Sequence, residues 1–238
     1  MKKKIIAFIC TIVSLVVIIC LTYISSNINS EDVSTETYSS NDSNALSSLD
    51  RLMQGNEKYI KGSYNPSLID SNARQSLYKN GQKPYAAILT CSDSRVVPEH
   101  IFYTGLGEIF VIRVAGNVVD ESVMGSLEFA VNNLKVPLVM VMGHQDCGAV
   151  YNSKSADIGG SLGQILAKIA PSYEKAIKLG GSEADIVERA TDFNVKNSIE
   201  LIGKNEIIQK YVKDGSVDLV GSNYNLETGK VRMIKALE

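Results

Sequence analysis

Two short stretches of this chain carry side chains able to grip a metal ion: Cys91-Ser92-Asp93-Ser94-Arg95 and His144-Gln145-Asp146-Cys147-Gly148. Cys91, His144 and Cys147 form a set of two sulfurs and one nitrogen, which suits the borderline-soft Zn²⁺. Three protein ligands with an open fourth position are the arrangement of catalytic zinc sites. Water on such an ion ionises near neutrality instead of near pKa ~16, which yields a hydroxide nucleophile. The chain has little other means of making one. Its only histidines are His100 and His144, so a histidine cluster is excluded.

The same cysteines admit two structural readings. Exported chains commonly pair their cysteines, and a Cys91–Cys147 disulfide is one alternative; a closed structural zinc with Asp93 as fourth ligand is the other. A disulfide explains neither the position of His144, three residues before Cys147, nor the Asp93 and Arg95 that follow Cys91. Those two are two apart, so in an extended turn both side chains face one side and can form a bidentate pair. The pair would keep Asp93 ionised and able to accept a hydrogen bond from zinc-bound water.

The elements that must position these residues follow from the apolar pattern. Short apolar strands alternate with longer helical stretches, the signature of an α/β fold with a mostly parallel sheet flanked by helices. Strands are expected over Tyr85–Thr90, Ile109–Val114 and Leu138–Met142, with helices over Ser122–Asn133, Ser161–Leu179 and Ala184–Val212. The chain closes with strands over Val217–Gly221 and Lys230–Ile234 flanking a Thr228-Gly229 turn. Cys91 then follows the first strand directly and His144 lies just beyond the third. Ligands of open parallel sheets bind at the carboxyl ends of strands.

Upstream, three lysines precede an uncharged run from Ile5 to Ile24. Twenty residues of helix span about 30 Å, the thickness of a bilayer's apolar core, and the lysines favour a cytoplasmic amino end. Residues 1–24 are therefore expected to be a membrane anchor or signal segment, placing the rest outside the cytoplasm. The stretch 25–44, rich in Ser, Asn, Thr and acidic residues, reads as a flexible linker. One domain fills 45–238, beginning with an amphipathic helix in Leu46, Leu49, Leu52, Met53, Tyr59 and Ile60. The net charge of −2, from 24 basic and 26 acidic side chains, gives no indication of a nucleic-acid surface.

The motifs C-S-D-S-R and G-H-x-x-C-G together resemble those of the β-class carbonic anhydrases, and the likeness runs from about Leu46 to Ile234. Leu49–Gly62 is similar to the family's L-x-x-L-x-x-G-N-x-x-F/Y segment, Arg113–Asn117 to its R-x-A-G-N element, and Ser126–Val131 to its S-L-E-Y-A-V helix. The resemblance implies that Cys91, His144 and Cys147 bind one Zn²⁺, and that Asp93 and Arg95 form the catalytic dyad. Gln82, Phe110, Phe129 and the backbone at Gly148 would contact substrate. Phe129 stands where the family has a tyrosine, so one polar contact is missing. Ile88, three residues before Cys91, occupies the place where the bicarbonate-inhibited subgroup carries tryptophan, which favours the plant-like subgroup.

The implied reaction is reversible hydration of CO₂ to bicarbonate. The implied fold is a mostly parallel sheet of four strands, in a homodimer or higher even oligomer whose amino-terminal helices wrap the partner. Two alternatives share the site: hydrolysis of COS or CS₂, and a non-catalytic zinc- or bicarbonate-binding surface protein. A nucleotide site at Gly105-Leu106-Gly107 lacks the rest of its G-x-G-x-x-G pattern. His100, after Pro98-Glu99, reads as a surface residue rather than a proton shuttle.

Overall fold

Strands β1 (Ala86–Thr90) and β3 (Leu138–His144) are buried at every residue, as central strands of a sheet covered on both faces must be. They lie side by side and parallel in a five-stranded sheet of order β2-β1-β3-β4-β5. β2 (Ile109–Arg113) and β4 (Asp218–Tyr224) extend the parallel part. β5 (Val231–Ile234) closes it antiparallel to β4. The computed structural model describes residues 47–155 and 158–234. The expected anchor (1–24) and linker (25–44) lie outside them, and no helix among the described residues is long and apolar enough to cross a membrane.

The two-residue period of the strands divides the core. Ala87, Leu89, Val139 and Val141 face one layer with Leu127, Ala130, Val195, Ile202 and Ile208. Ala86, Ile88, Met140 and Met142 face the other with Leu52, Ile101 and Phe102. The first layer comes from α4 (Glu121–Asn132), α7 (Glu183–Lys204) and α8 (Glu206–Lys213). The second comes from α1 (Ser48–Ile60) and the short α3 (Pro98–Ile101). A third cluster, with Val150, Ile169, Tyr173 and Ala190, joins α5 (Gly148–Asn152) and α6 (Gly160–Ile177) to α7, and α2 (Ser71–Asn80) lies on the surface with no residue buried.

The Gly55-Asn56 pair fixes α1 against this frame. A Cβ at Gly55 would overlap the Phe102 carbonyl oxygen, so only glycine permits the approach. Buried Asn56 donates to Ile101 O (3.1 Å) and Gly229 O (2.8 Å) and accepts from Val231 N (3.0 Å). One side chain thus ties three sequence-distant segments together and leaves no polar group of its own unmet.

The structure differs from the sequence expectation at four places. The stretch expected as one helix over Ala184–Val212 is two, because Asn205 takes extended angles (φ −66°, ψ 126°) and its side chain accepts from Ile207 N and Ile208 N, capping a new helix. β3 runs on through Gly143 to His144, so the histidine ends the strand instead of following it. A Cβ at Gly143 would press on Thr191 and Val195, so the glycine admits α7 close to the strand end. The sheet has five strands where the resemblance implied four. Helix α2 was not foreseen, for it buries no residue and so shows no apolar stripe.

Candidate metal centre

Parallel pairing of β1 with β3 sets their carboxyl ends next to each other, with Thr90 opposite Met142. Thr90 Oγ1 donates to Met142 O at 2.8 Å and staples those ends together. Cys91 leaves β1 there, and His144 ends β3 fully buried. The chain then reverses through Asp146, at φ 51°, and returns Cys147 to the mouth of α5, whose N-cap it is. The ligand atoms of Cys91, His144 and Cys147 all lie within 4.8 Å of one another. Cys91 and Cys147 are free thiols with sulfurs 4.0 Å apart, so the disulfide reading does not describe this structure.

The histidine is oriented for a ligand. Its Nδ1 lies 2.8 Å from Gln145 O; a carbonyl only accepts, so the proton sits on Nδ1 and the Nε2 lone pair is free. That Nε2 is buried and has no hydrogen-bond partner. A buried nitrogen left without a partner costs free energy unless something else meets it. Two sulfurs and an imidazole nitrogen form the donor set of a zinc site, so the residues fit the ion that the sequence implies. The thiols are biased accordingly. The hydrogen bond from Cys147 leads in holding the Cys91 thiol below its ordinary value, with smaller help from His144 and the Gly116 amide and against the effect of burial. Cys147, sharing its proton with Cys91 and more deeply buried, is pushed up.

Asp93 sits above this cluster, with Oδ2 3.8 Å from His144 Nε2. Arg95 donates to its Oδ1 from Nε at 2.9 Å and to its Oδ2 from Nη2 at 2.7 Å, and the Arg95 amide adds a third bond to Oδ1 at 2.9 Å. The Arg95 side-chain bonds hold the Asp93 carboxyl at about 2, below the usual carboxylate range. Arg113, at the end of β2, donates to Cys91 O (3.2 Å) and Asp93 O (2.7 Å) and so fixes the loop that carries both.

The remaining sequence-derived residues fall in two places. Gly148 is exposed beside buried Cys147 and opens α5. Gln82, also exposed, lies before the amino end of β1, and the strand from Ala86 to Cys91 covers about 16 Å. Phe110 pairs in register with Ala87, well short of the strand's carboxyl end. Its ring lies 6.1 Å from that of half-exposed Phe129. Within one chain, therefore, the fold does not bring Gln82, Phe110 and Phe129 to the cysteine–histidine cluster. His100 is exposed on α3, as expected. Sequence reasoning missed Gln145 as the orienting carbonyl, and it missed the roles of Arg113 and Gly116, although both lie in the R-x-A-G-N element.

Fold and centre together define an α/β enzyme in which a cysteine–histidine cluster able to hold a metal ion lies at the carboxyl ends of adjacent parallel strands. The family described as "Carbonic anhydrase" matches residues 86–231. The chain is 37% identical over 194 residues to carbonic anhydrase 2 of Mycobacterium tuberculosis, covering 79% of this chain and 91% of that protein. It is 35% identical over 198 residues to the carbonic anhydrase of Mycolicibacterium smegmatis, covering 80% and 94%. Among solved structures it is similar to the β-carbonic anhydrase CafA of Aspergillus fumigatus, with TM-score 0.65, 26% identity and coverage of 71% and 85%. A second such structure is the Coccomyxa β-carbonic anhydrase in complex with acetazolamide, with TM-score 0.63, 26% identity and coverage of 78% and 86%. The chain belongs to the β-class carbonic anhydrase family and is an enzyme of that activity.

Proposed function

We propose that the protein hydrates CO₂ reversibly with one zinc ion held by Cys91 Sγ, His144 Nε2 and Cys147 Sγ. The observation that carries this reading is the buried, unpartnered Nε2 of a histidine whose other nitrogen is already committed to Gln145 O. When bound, zinc acts as a Lewis acid that makes a nucleophile of water at neutral pH. Asp93, kept ionised by Arg95, would accept a hydrogen bond from the attacking water and so turn its lone pair toward CO₂. Because both Asp93 oxygens are engaged by Arg95, the carboxylate is held as an acceptor and not released to become a fourth ligand. The backbone at Gly148, exposed next to Cys147, receives an oxygen of the substrate. Ile88 in the place of tryptophan supports the plant-like form of the enzyme.

The substrate pocket is completed by a second copy of the chain. Gln82, Phe110 and Phe129 lie away from their own cluster, and β2 is a sheet edge that carries partly buried Phe110, with half-exposed Phe129 of α4 beside it. A two-fold dimer about that edge brings them to the partner's centre. The apolar run behind three lysines in residues 1–24 supports an anchored or exported enzyme working outside the cytoplasm. Metal analysis together with stopped-flow CO₂ hydration tests the central reading. One zinc per chain with CO₂ turnover supports it, and a metal-free protein without turnover, or one that turns over only COS or CS₂, refutes it.

A further inference from the structure

Gly116 lies at the centre of the 3₁₀ turn Ala115–Asn117, between β2 and α4. Its amide donates to Cys91 Sγ at 3.3 Å. The turn is strained and tightly seated: Gly116 has φ +65°, Asn117 has φ 44°, and a Cβ at Gly116 would overlap Ile169 and crowd Ala149. What holds it comes from α7. Asn194 Nδ2 donates to Gly116 O at 2.7 Å, and one turn later Ser198 Oγ donates to Asn117 O at 3.0 Å. Both side chains are 1% exposed, and residues four apart on a helix share one face. Burying an amide side chain is unfavourable unless it makes a required bond, and otherwise apolar packing would serve α7 better at this position.

We propose that Asn194 is a positioning residue that acts through Gly116 on the electron density of the Cys91 sulfur. This rests on the reading of Cys91 as a metal ligand. By fixing the Gly116 carbonyl, Asn194 holds the peptide that follows Gly116, and through the residue's positive φ the preceding peptide, whose N–H is aimed at the sulfur. An N–H donated to a thiolate withdraws charge from it, weakens its donation to the ion and leaves the ion a stronger Lewis acid; outer hydrogen bonds tune metal sites in this way. Helix α7, which supplies no ligand, would thus adjust the reactivity of the centre from behind.

The test uses the wild-type protein loaded with cadmium-113 and labelled with ¹⁵N-glycine. A hydrogen bond to a metal thiolate transmits scalar coupling, so the Gly116 amide proton is expected to show coupling to cadmium through Cys91. Bound cadmium with a two-thiolate chemical shift but no coupling at Gly116 overturns the inference and leaves the metal centre intact. Cadmium that does not bind, or binds without thiolates, overturns the centre and the inference with it. The second arm is Asn194→Leu, which keeps the volume and loses the donor, in the cobalt-substituted protein. The sulfur-to-cobalt absorption band is expected to move to longer wavelength, as it must when a thiolate regains the charge an N–H had withdrawn. Ser198→Ala, which spares the Gly116 bond, is expected to leave the band in place. A lower melting temperature in Asn194→Leu with the band unchanged shows a merely structural role and refutes the proposal.

Discussion

Arg95 grips both carboxylate oxygens of Asp93 in a forked pair, at 2.9 Å through Nε and 2.7 Å through Nη2. The geometry decides which way Asp93 can act. A carboxylate whose two oxygens already accept from a guanidinium keeps its charge and its orientation, and its remaining lone pairs face the cluster 3.8 Å below.

Asp93 is expected to stay ionised far into acid. Its folded value of about 2 lies below that of an unfolded aspartate, ~3.9. The ion pair therefore adds stability above about pH 4, and that contribution is lost as pH falls through about 2. Carbon-13 titration of the Asp93 carboxyl should show a midpoint near the folded value in the wild type and close to an ordinary aspartate's in Arg95→Ala. The same variant should lose CO₂ hydration by about a hundredfold or more, the scale of disturbing one preorganised hydrogen-bonding group at a reacting centre.

Removing a ligand should remove metal and activity together. Cys147→Ser is expected to retain less than one tenth of the wild-type zinc under dialysis, the order of loss that follows when a ligand is taken from a three-ligand set. Zinc analysis beside the hydration assay checks this, and full activity in the variant would sink the proposed centre.

Stripping the metal should also expose the two thiols to each other. Their sulfurs stand 4.0 Å apart and need to close to about 2.05 Å to bond. Diamide, which takes up the two electrons and two protons released, is expected to join Cys91 to Cys147 in the chelated protein and to leave the zinc-loaded protein unjoined. Peptide mapping by mass spectrometry distinguishes the two states.

A shared pocket predicts complementation between inactive variants. Gln82→Ala keeps a sound cluster and Cys147→Ser keeps a sound Gln82, so a dimer of one with the other contains one intact site. Random reassortment places an intact site in about a quarter of all positions, and mixed, reassembled variants should recover activity on that scale. No recovery after confirmed subunit exchange would show that Gln82 serves its own chain.

At the other face of the sheet, Gly55→Ala should destabilise the fold by about 1–3 kcal/mol, the usual cost of overpacking, because its Cβ would overlap the Phe102 carbonyl. Urea unfolding of the zinc-loaded protein measures it.

The Cys91–His144–Cys147 cluster and the Asp93–Arg95 pair were legible in the sequence because metal chemistry restricts residue types and because strand ends show as abrupt stops in apolar runs. Asn205 illustrates what is harder to read: an asparagine inside an apolar periodicity looks like a tolerated polar residue until its side chain is seen capping α8. Helix α2 escaped notice for the opposite reason, since a helix that buries nothing leaves no periodic imprint. Asn194 and Gly116 act through contacts 78 residues apart in the chain, and no local pattern encodes such a pairing. Gln82, Phe110 and Phe129 could be assigned from the family likeness alone, while their distance from the cluster depends on strand direction, which only the assembled sheet reveals.

The staple between Thr90 and Met142 joins segments that lie far apart along the chain. Contacts of such wide sequence separation close late, after local helices have formed. Cys91 therefore meets the His144–Cys147 turn only when the central strands have docked, and before then the chain could offer an incoming ion just two of the three side chains of the cluster. Maturation should accordingly run in one order, with assembly of the sheet first and capture of the proposed ion second.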